Sequence, residues 1–183
     1  LAKATTATET ARYHERLASA ADALDRGRYG DARRMVQPVL KHLPQLAFAH
    51  EISGLCWYGL GEWRKAVTEL ELARELDGSV NHHAVLADCY RALKRYHVVE
   101  ELWSELRAAS PAPALLAEGR IVAAGALADQ GDLAGGGQRV HDLHAVGDDP
   151  FASLVQRSGQ RRIDHGRREV SDDSCRKELR LPT

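Results

Sequence analysis

The 183-residue chain has few of the residues that β-sheet and membrane proteins depend on. Aromatic residues make up only 5% of the sequence. This scarcity favours helix over sheet, because aromatic and β-branched residues are the ones enriched in strands. No apolar run approaches the roughly 18–20 residues that span a bilayer, and the N-terminal segment lacks the apolar stretch of a secretory signal. We therefore predict an all-α protein with no membrane partner.

Cysteine is also scarce, and its spacing excludes the usual cysteine frameworks. Cys56, Cys89 and Cys175 are an odd number and form no CxxC pair. A disulfide scaffold is not expected from such a set. A reducing compartment is the default for a chain of this kind, so we predict a cytoplasmic location. In a helical protein, Cys56 and Cys89 are expected to act as small hydrophobic residues in the packing.

Positive charge is not concentrated enough to suggest nucleic acid as the main partner. The formal net charge is -1, which divides into -4 over residues 1–150 and +3 over residues 151–183. Phosphate binding needs a clustered basic face. In the basic tail, acidic residues are interleaved with the arginines and dilute the potential. A solvated, disordered tail is the preferred interpretation of residues 146–183.

Motifs that carry catalysis, nucleotide binding or metal binding are missing as well. The chain contains no GxSxG, GxxxxGK[ST] or GxGxxG pattern, and no HExxH or H-x3-H spacing. We therefore predict no enzymatic activity, no cofactor and no metal. One alternative from another class is a metal- or small-molecule-binding helical protein that uses His50, His83 and Asp88. It is less favoured because zinc sites need three or four converging ligands.

What the sequence does contain is a short pattern that recurs at nearly fixed spacing. A small residue is followed two positions later by an aromatic residue, and three positions after that by a small or β-branched one. The successive copies are Gly27–Tyr29–Ala32, Gly61–Trp63–Ala66, Lys94–Tyr96–Val99 and a degraded Gly131–Leu133–Gly136. Their steps of 34, 33 and 37 residues are typical of stacked helix hairpins.

These residues resemble the tetratricopeptide repeat, a helix–turn–helix unit of 34 residues. The best copy has Gly54, Trp57, Gly61, Trp63, Ala66, Leu70 and Ala73, and departs from the repeat signature at His50 and Ser53. The next copy has Leu86, Ala87, Tyr90, Tyr96, Trp103 and Pro111, and departs at His83 and Val99. The resemblance covers roughly residues 10–145. It implies an α-α superhelix, a solenoid of helix hairpins with a concave groove.

The apolar periodicity predicts eight helices, the last of them weakened by three consecutive glycines. Their approximate bounds are 9–26, 29–42, 47–60, 62–76, 80–93, 96–109, 113–130 and 132–145. We group them into a repeat domain over 1–145, with repeats at about 13–46, 47–79, 80–113 and 117–146, followed by the tail. Pro38 is expected to bend or break the second helix. The last helix is expected to leave apolar surface near Ile121, Val122 and Leu127 that the tail or a second copy of the chain covers.

The resemblance also implies which residues would contact a partner. Groove-facing positions of the second repeat correspond to Phe48, Glu51, Leu55 and Tyr58. Those of the third correspond to Asn81, Asp88 and Arg91, and those of the fourth to Glu118, Ile121 and Asp129. We predict a scaffold or adaptor that binds a peptide or a partner protein in the groove. Because the chain begins with Leu1 rather than Met, a regulatory or sensory fragment of a larger protein is a second alternative.

Overall fold

The computed structural model describes residues 7–132, and every regular element within that range is an α-helix. The helices are α1 (Ala7–Asp25), α2 (Tyr29–His42), α3 (Ala47–Gly59), α4 (Trp63–Asp77), α5 (His83–Ala92), α6 (Tyr96–Ala108) and α7 (Pro113–Asp129). The all-α prediction is thereby confirmed over this range. The predicted helix 132–145, the end of the fourth repeat, the tail 146–183 and Cys175 lie outside the described residues.

The residues that anchor the repeat pattern form four turns of the same kind. Gly27, Gly61, Lys94 and Gly131 all adopt a left-handed backbone, with φ of 69°, 74°, 59° and 88°. In each turn the residue after the anchor donates its backbone N–H to a carbonyl five positions earlier, as from Glu62 to Trp57 O at 2.9 Å. The anchor itself donates to the carbonyl three positions earlier. These are the two hydrogen bonds of the Schellman helix ending, for which glycine is the usual choice.

Helices that follow each other in the chain pack as antiparallel pairs. Close contacts join α1 with α2, α3 with α4 and α5 with α6, while α7 packs against both α5 and α6. The pairs also touch through α2 and α3, and through α4 and α5. One cluster of buried side chains runs through all seven helices and includes Leu24, Val36, Ile52, Leu70, Leu86, Leu102 and Val122. Each pair therefore buries its apolar face against its neighbours and not by itself.

Gly54 marks the closest approach within the α3–α4 pair, as its place in the repeat pattern predicts. A Cβ atom added at Gly54 would lie 2.7 Å from side-chain carbons of Leu70. The missing side chain is what allows Leu70 to pack directly onto the α3 backbone. Ala87, the equivalent residue of the next pair, is also small and buried.

A break at Pro38 and the start of the fifth helix at residue 80 were expected from the sequence, and neither is found in the structure. Pro38 does not break α2, which continues through it to His42. The ring removes a single backbone donor, and the flanking Val36 and Val39 are fully buried, so packing holds the helix together. The fifth helix begins at His83 and not at residue 80. The residues before it form a turn instead, because the Asp77 carboxylate accepts the backbone N–H of Ser79 at 2.8 Å.

The last described helix is covered more completely than the sequence suggests. Val122 is fully buried by the packing of α7 on α5 and α6, so its expected exposure was wrong. Ile121 and Leu127 are half-buried. Within residues 7–132, the only large hydrophobic side chain that is strongly exposed is Leu60, in the turn after α3.

Candidate functional site

Four polar side chains from α3, α5 and α7 form a connected row, which we call the ladder: Tyr58, Asp88, Arg91 and Asp129. The Tyr58 hydroxyl donates to Asp88 Oδ2 at 2.8 Å. Arg91 Nη1 lies 3.8 Å from Asp88 Oδ1. Arg91 also donates from Nε and Nη2 to the two oxygens of Asp129, at 2.7 and 3.2 Å. The ladder thus joins α3 and α5, the first helices of the second and third pairs, to α7.

The bidentate pairing of Arg91 with Asp129 depends on a glycine of α7. A Cβ atom added at Gly125 would lie 2.6 Å from the guanidinium carbon of Arg91. Gly125 and Asp129 are four residues apart and share one face of α7. The guanidinium therefore crosses the helix over Gly125 and reaches the carboxylate with the planar two-bond geometry that suits this pair.

The pKa values of the ladder residues follow their burial, which decreases from Tyr58 to Asp129. Burial, followed by the nearby Asp88 carboxylate, raises the pKa of Tyr58, so its hydroxyl remains a donor. Burial also raises the pKa of Asp88, against the opposing effects of the Tyr58 hydrogen bond and the Arg91 charge. At the outer end, the hydrogen bond from Arg91 holds the pKa of Asp129 below its usual value. The side chains of Arg91 and Asp129 are 25% and 38% exposed, so this end of the ladder is open to a partner.

Beneath this surface lies a buried acid–base pair that the sequence did not indicate. His82, the residue before α5, places Nε2 3.3 Å from Glu51 Oε2 of α3. Both residues are buried. Burial lowers the pKa of His82 to about 4, although the charge of Asp77 acts in the opposite direction. At neutral pH the imidazole is therefore uncharged, and the contact ties the second helix pair to the third.

The predicted groove residues occupy three different environments. Tyr58, Asp88, Arg91 and Asp129 come together in the ladder. Glu51 and Leu55 are buried, Glu51 against His82 and Leu55 in the core. Phe48 is half-buried against the same core. Asn81 is exposed in the turn before α5, where its backbone N–H donates to Ser79 Oγ. Contact of these residues with a partner stays a prediction.

The histidines proposed for the alternative metal site serve separate packing contacts. His50 lies 2.7 Å from Glu69 Oε2 through Nδ1 and 2.9 Å from the Pro44 carbonyl oxygen through Nε2. His83 Nε2 lies 2.9 Å from Glu105 Oε2. Each histidine thus links the start of a first helix to the second helix of the same pair. Over residues 7–132 no group of three His, Cys, Asp or Glu side chains is arranged to hold a metal ion.

The two cysteines within the described range, Cys56 and Cys89, are core thiols. Both are fully buried at equivalent positions of α3 and α5. Burial raises the pKa of each to about 12. Neither thiol ionises near neutral pH, so neither has the thiolate character of a nucleophile. Their predicted role as small hydrophobic packing residues agrees with this placement.

Comparison with known proteins returned no match from any family model, any curated protein or any solved structure. The likeness to tetratricopeptide repeats accordingly rests on the residues of this chain alone. Between residues 7 and 132, no helix combines the length and the apolar character needed to cross a membrane.

Proposed function

We propose that this chain is a cytoplasmic scaffold that binds a peptide or a partner protein across the first helices of its successive pairs. The observation that carries the proposal is the ladder, which connects α3, α5 and α7 and ends in the partly exposed Arg91–Asp129 pair. A partner that binds along this row would be positioned by its charged side chains. The partly exposed ion pair at one end would favour partners with complementary charges. We include the half-buried Phe48 and the exposed Asn81 in the proposed binding surface because the resemblance assigns them to the groove.

A solenoid arrangement of the helix pairs is part of this proposal. In such an arrangement the first helices line one surface and the second helices line the other. It is supported by the packing of α1 against α3 and of α5 against α7, and by the hydrogen bond from Tyr58 in α3 to Asp88 in α5. The recurrence of one turn geometry at four positions also supports it, because equal turns produce equal repeats.

The test exchanges the two charges at the open end of the ladder. The double variant Arg91→Asp, Asp129→Arg retains an ion pair but reverses its polarity, and it replaces the cation beside Asp88 by a carboxylate, so we expect a small loss of stability. A pair at this exposure contributes at most about 1 kcal/mol. Affinity capture from cell lysate should retain the partners of the wild type and lose them, by tenfold or more, with the exchanged variant.

A matched control is available on α2. Asp31 and Arg34 form an exposed ion pair on a second helix, and exchanging their charges alters a surface that the proposal leaves free. This control variant should capture the same partners as the wild type. If the Arg91 and Asp129 exchange also captures them undiminished, binding does not use the ladder and the proposed function is wrong.

A further inference from the structure

A second surface feature lies where the second and third helix pairs meet. A cleft of about 340 Å³ is lined by Arg64, Val67, Tyr90, Leu93 and Arg95. Arg64 and Val67 lie in the first turns of α4, and Tyr90 lies near the C-terminal end of α5. Leu93 and Arg95 lie in the turn between α5 and α6. Tyr90 is adjacent to Arg91 in a helix, so the two side chains point about 100° apart. The cleft is therefore a different surface from the ladder.

The walls of the cleft are apolar and fixed in place. Val67 and Leu93 are half-buried and provide the floor. The Tyr90 hydroxyl donates to Glu71 Oε1 at 2.9 Å, which holds the ring in position. The other oxygen of Glu71 lies 3.4 Å from Arg74 Nη1, so this carboxylate is already compensated. A side chain that enters the cleft would meet a preformed hydrophobic surface.

The rim of the cleft carries two uncompensated positive charges. Arg64 and Arg95 are exposed, and neither guanidinium forms an ion pair with any residue in the described range 7–132. Arg74 and Arg91, by contrast, are each paired with carboxylates. An apolar floor between two guanidinium groups that pair with no carboxylate of residues 7–132 suits a ligand with an apolar part and a carboxylate.

The preceding junction between helix pairs shows that this charge pattern is not required by the fold. One repeat earlier the equivalent positions hold Gly30, Arg33, Trp57, Leu60 and Glu62. There the guanidinium carbon of Arg33 lies 4.5 Å from the centroid of the Trp57 ring, so a cation covers the place that Val67 leaves open. Glu62 stands where Arg95 does, and it pairs with Lys65. At one junction these positions thus hold a ring covered by a cation and a paired acid, and at the next they hold two arginines beside apolar residues.

We propose that the cleft binds an acidic–apolar segment of a partner protein. An apolar side chain such as Leu or Phe covers Val67 and Leu93, and an Asp or Glu carboxylate from the same segment bridges Arg64 and Arg95. A volume of about 340 Å³ is at the lower end of ligand-sized pockets, which span about 300–1,000 Å³, so the cleft holds one or two side chains. The apolar floor and the two isolated charges do not suit the continuous phosphate backbone of a nucleic acid.

The experiment uses the full chain and fluorescein-labelled, end-capped ten-residue peptides. Each peptide carries one or two Asp or Glu residues and one Leu, Ile, Val or Phe at spacings of one to four, in a Gly/Ser background. Peptides with Lys in place of the acids, and a ten-nucleotide single-stranded DNA, serve as controls. Fluorescence anisotropy should show binding by some of the acidic–apolar peptides and at least tenfold weaker binding by their Lys counterparts and by the DNA.

Two variants test whether the peptide binds in the cleft. Arg64→Glu with Arg95→Glu reverses the rim charge at exposed positions, and Val67→Glu replaces an apolar lining residue by a charge of the same sign as the peptide. Each should weaken the best peptide at least tenfold. The charge-matched control, Arg12→Glu with Arg28→Glu, changes two other exposed arginines and should remain within twofold of the wild type.

Three results would overturn the proposal. They are no binding by any acidic–apolar peptide, unchanged binding by the variant with both rim arginines reversed, or DNA binding as tight as that of the best peptide. The exchange of charges at Arg91 and Asp129 should leave peptide binding intact, so failure here is distinguishable from failure of the proposed function. Melting temperatures of all variants, followed by circular dichroism, establish that the exposed substitutions leave the fold intact.

Discussion

Lys94 offers the sharpest test of the repeated turn, because it holds a backbone conformation that the other three turns assign to glycine. A left-handed conformation costs a residue with a side chain roughly 1–2 kcal/mol. Replacing Lys94 by Gly removes that cost. It also makes the unfolded chain more flexible, which lowers the free energy of unfolding by about 0.4–1 kcal/mol. It also removes a cation from the carboxyl end of α5, where a positive charge is worth about 0.3–1 kcal/mol. These contributions nearly cancel, so we expect Lys94→Gly to change the free energy of unfolding by less than about 1 kcal/mol.

The comparison with Lys94→Ala isolates the backbone contribution. Both variants lose the charge, so their difference reports the conformation of residue 94 alone. In a left-handed turn Gly should be the more stable by about 1 kcal/mol. In a continuing right-handed helix the order reverses, because Ala is then favoured by about 1 kcal/mol. The sign of one difference therefore decides between the two structures.

Thermal denaturation followed by circular dichroism measures this difference directly. For a chain of this size, 1 kcal/mol corresponds to roughly 2–4 °C in Tm. The reverse change, Gly61→Ala, creates no clash, since an added Cβ would make an ordinary van der Waals contact of 3.8 Å with the Trp63 ring. It should therefore lower stability through backbone strain alone, by about 1 kcal/mol. An Ala variant at residue 94 as stable as the Gly variant would refute the turn assignment.

Three further predictions concern the ladder and the core. Gly125→Ala should push the Arg91 guanidinium off its path and raise the pKa of Asp129 towards its ordinary value, as measured by NMR titration of the carboxyl carbon. An unchanged titration would mean that the pair does not need the glycine. The two core thiols should resist a thiol reagent in the native protein at pH 8 and react on unfolding in urea, in a variant without the third cysteine. Rapid native labelling would contradict their burial. Because burial lowers the folded-state pKa of His82 to about 4, the unfolded chain binds the extra proton first, so stability should fall as the pH drops from about 6.5 to 4. Urea denaturation at several pH values should show a flatter decline for His82→Gln, and identical slopes would exclude this histidine as a source of the pH dependence.

Much of the helical framework could be predicted from the sequence because it depends on local chemistry. Gly27 and Gly61 end helices through the left-handed conformation that glycine adopts at little cost. The aromatic residue two positions after each of the first three anchors begins the next helix, as at Tyr29 and Trp63. Lys94 was predicted as a turn from spacing alone, since its own residue type does not suggest one.

The differences arise where tertiary packing overrides local preference. Pro38 lacks the donor that a helix uses, yet the buried valines beside it keep α2 continuous. Glu51 carries a charge that predicts exposure, but its burial beside His82 is set by how two distant segments meet. No local signal identifies such a pairing, because the partners lie 31 residues apart in the sequence.

The ladder was predicted in part for the same reason. Tyr58, Asp88 and Arg91 could be proposed from their repeat positions, which place them on the first helices. Asp129 was proposed in the same way, but the bidentate pairing of Arg91 with Asp129 depends on the space that Gly125 provides and on the docking of α7 on α5. The order of charged residues in the sequence does not indicate which carboxylate each arginine will pair with.

The central claim is that a partner lies along the first helices of the successive pairs. Hydrogen–deuterium exchange of the chain, alone and with the partner whose capture depends on the ladder, tests this claim most directly. The account predicts added protection in the peptides that cover α3, α5 and α7, strongest near Asp88 and Arg91. Protection confined to α2, α4 and α6, with the ladder helices unchanged, would contradict it.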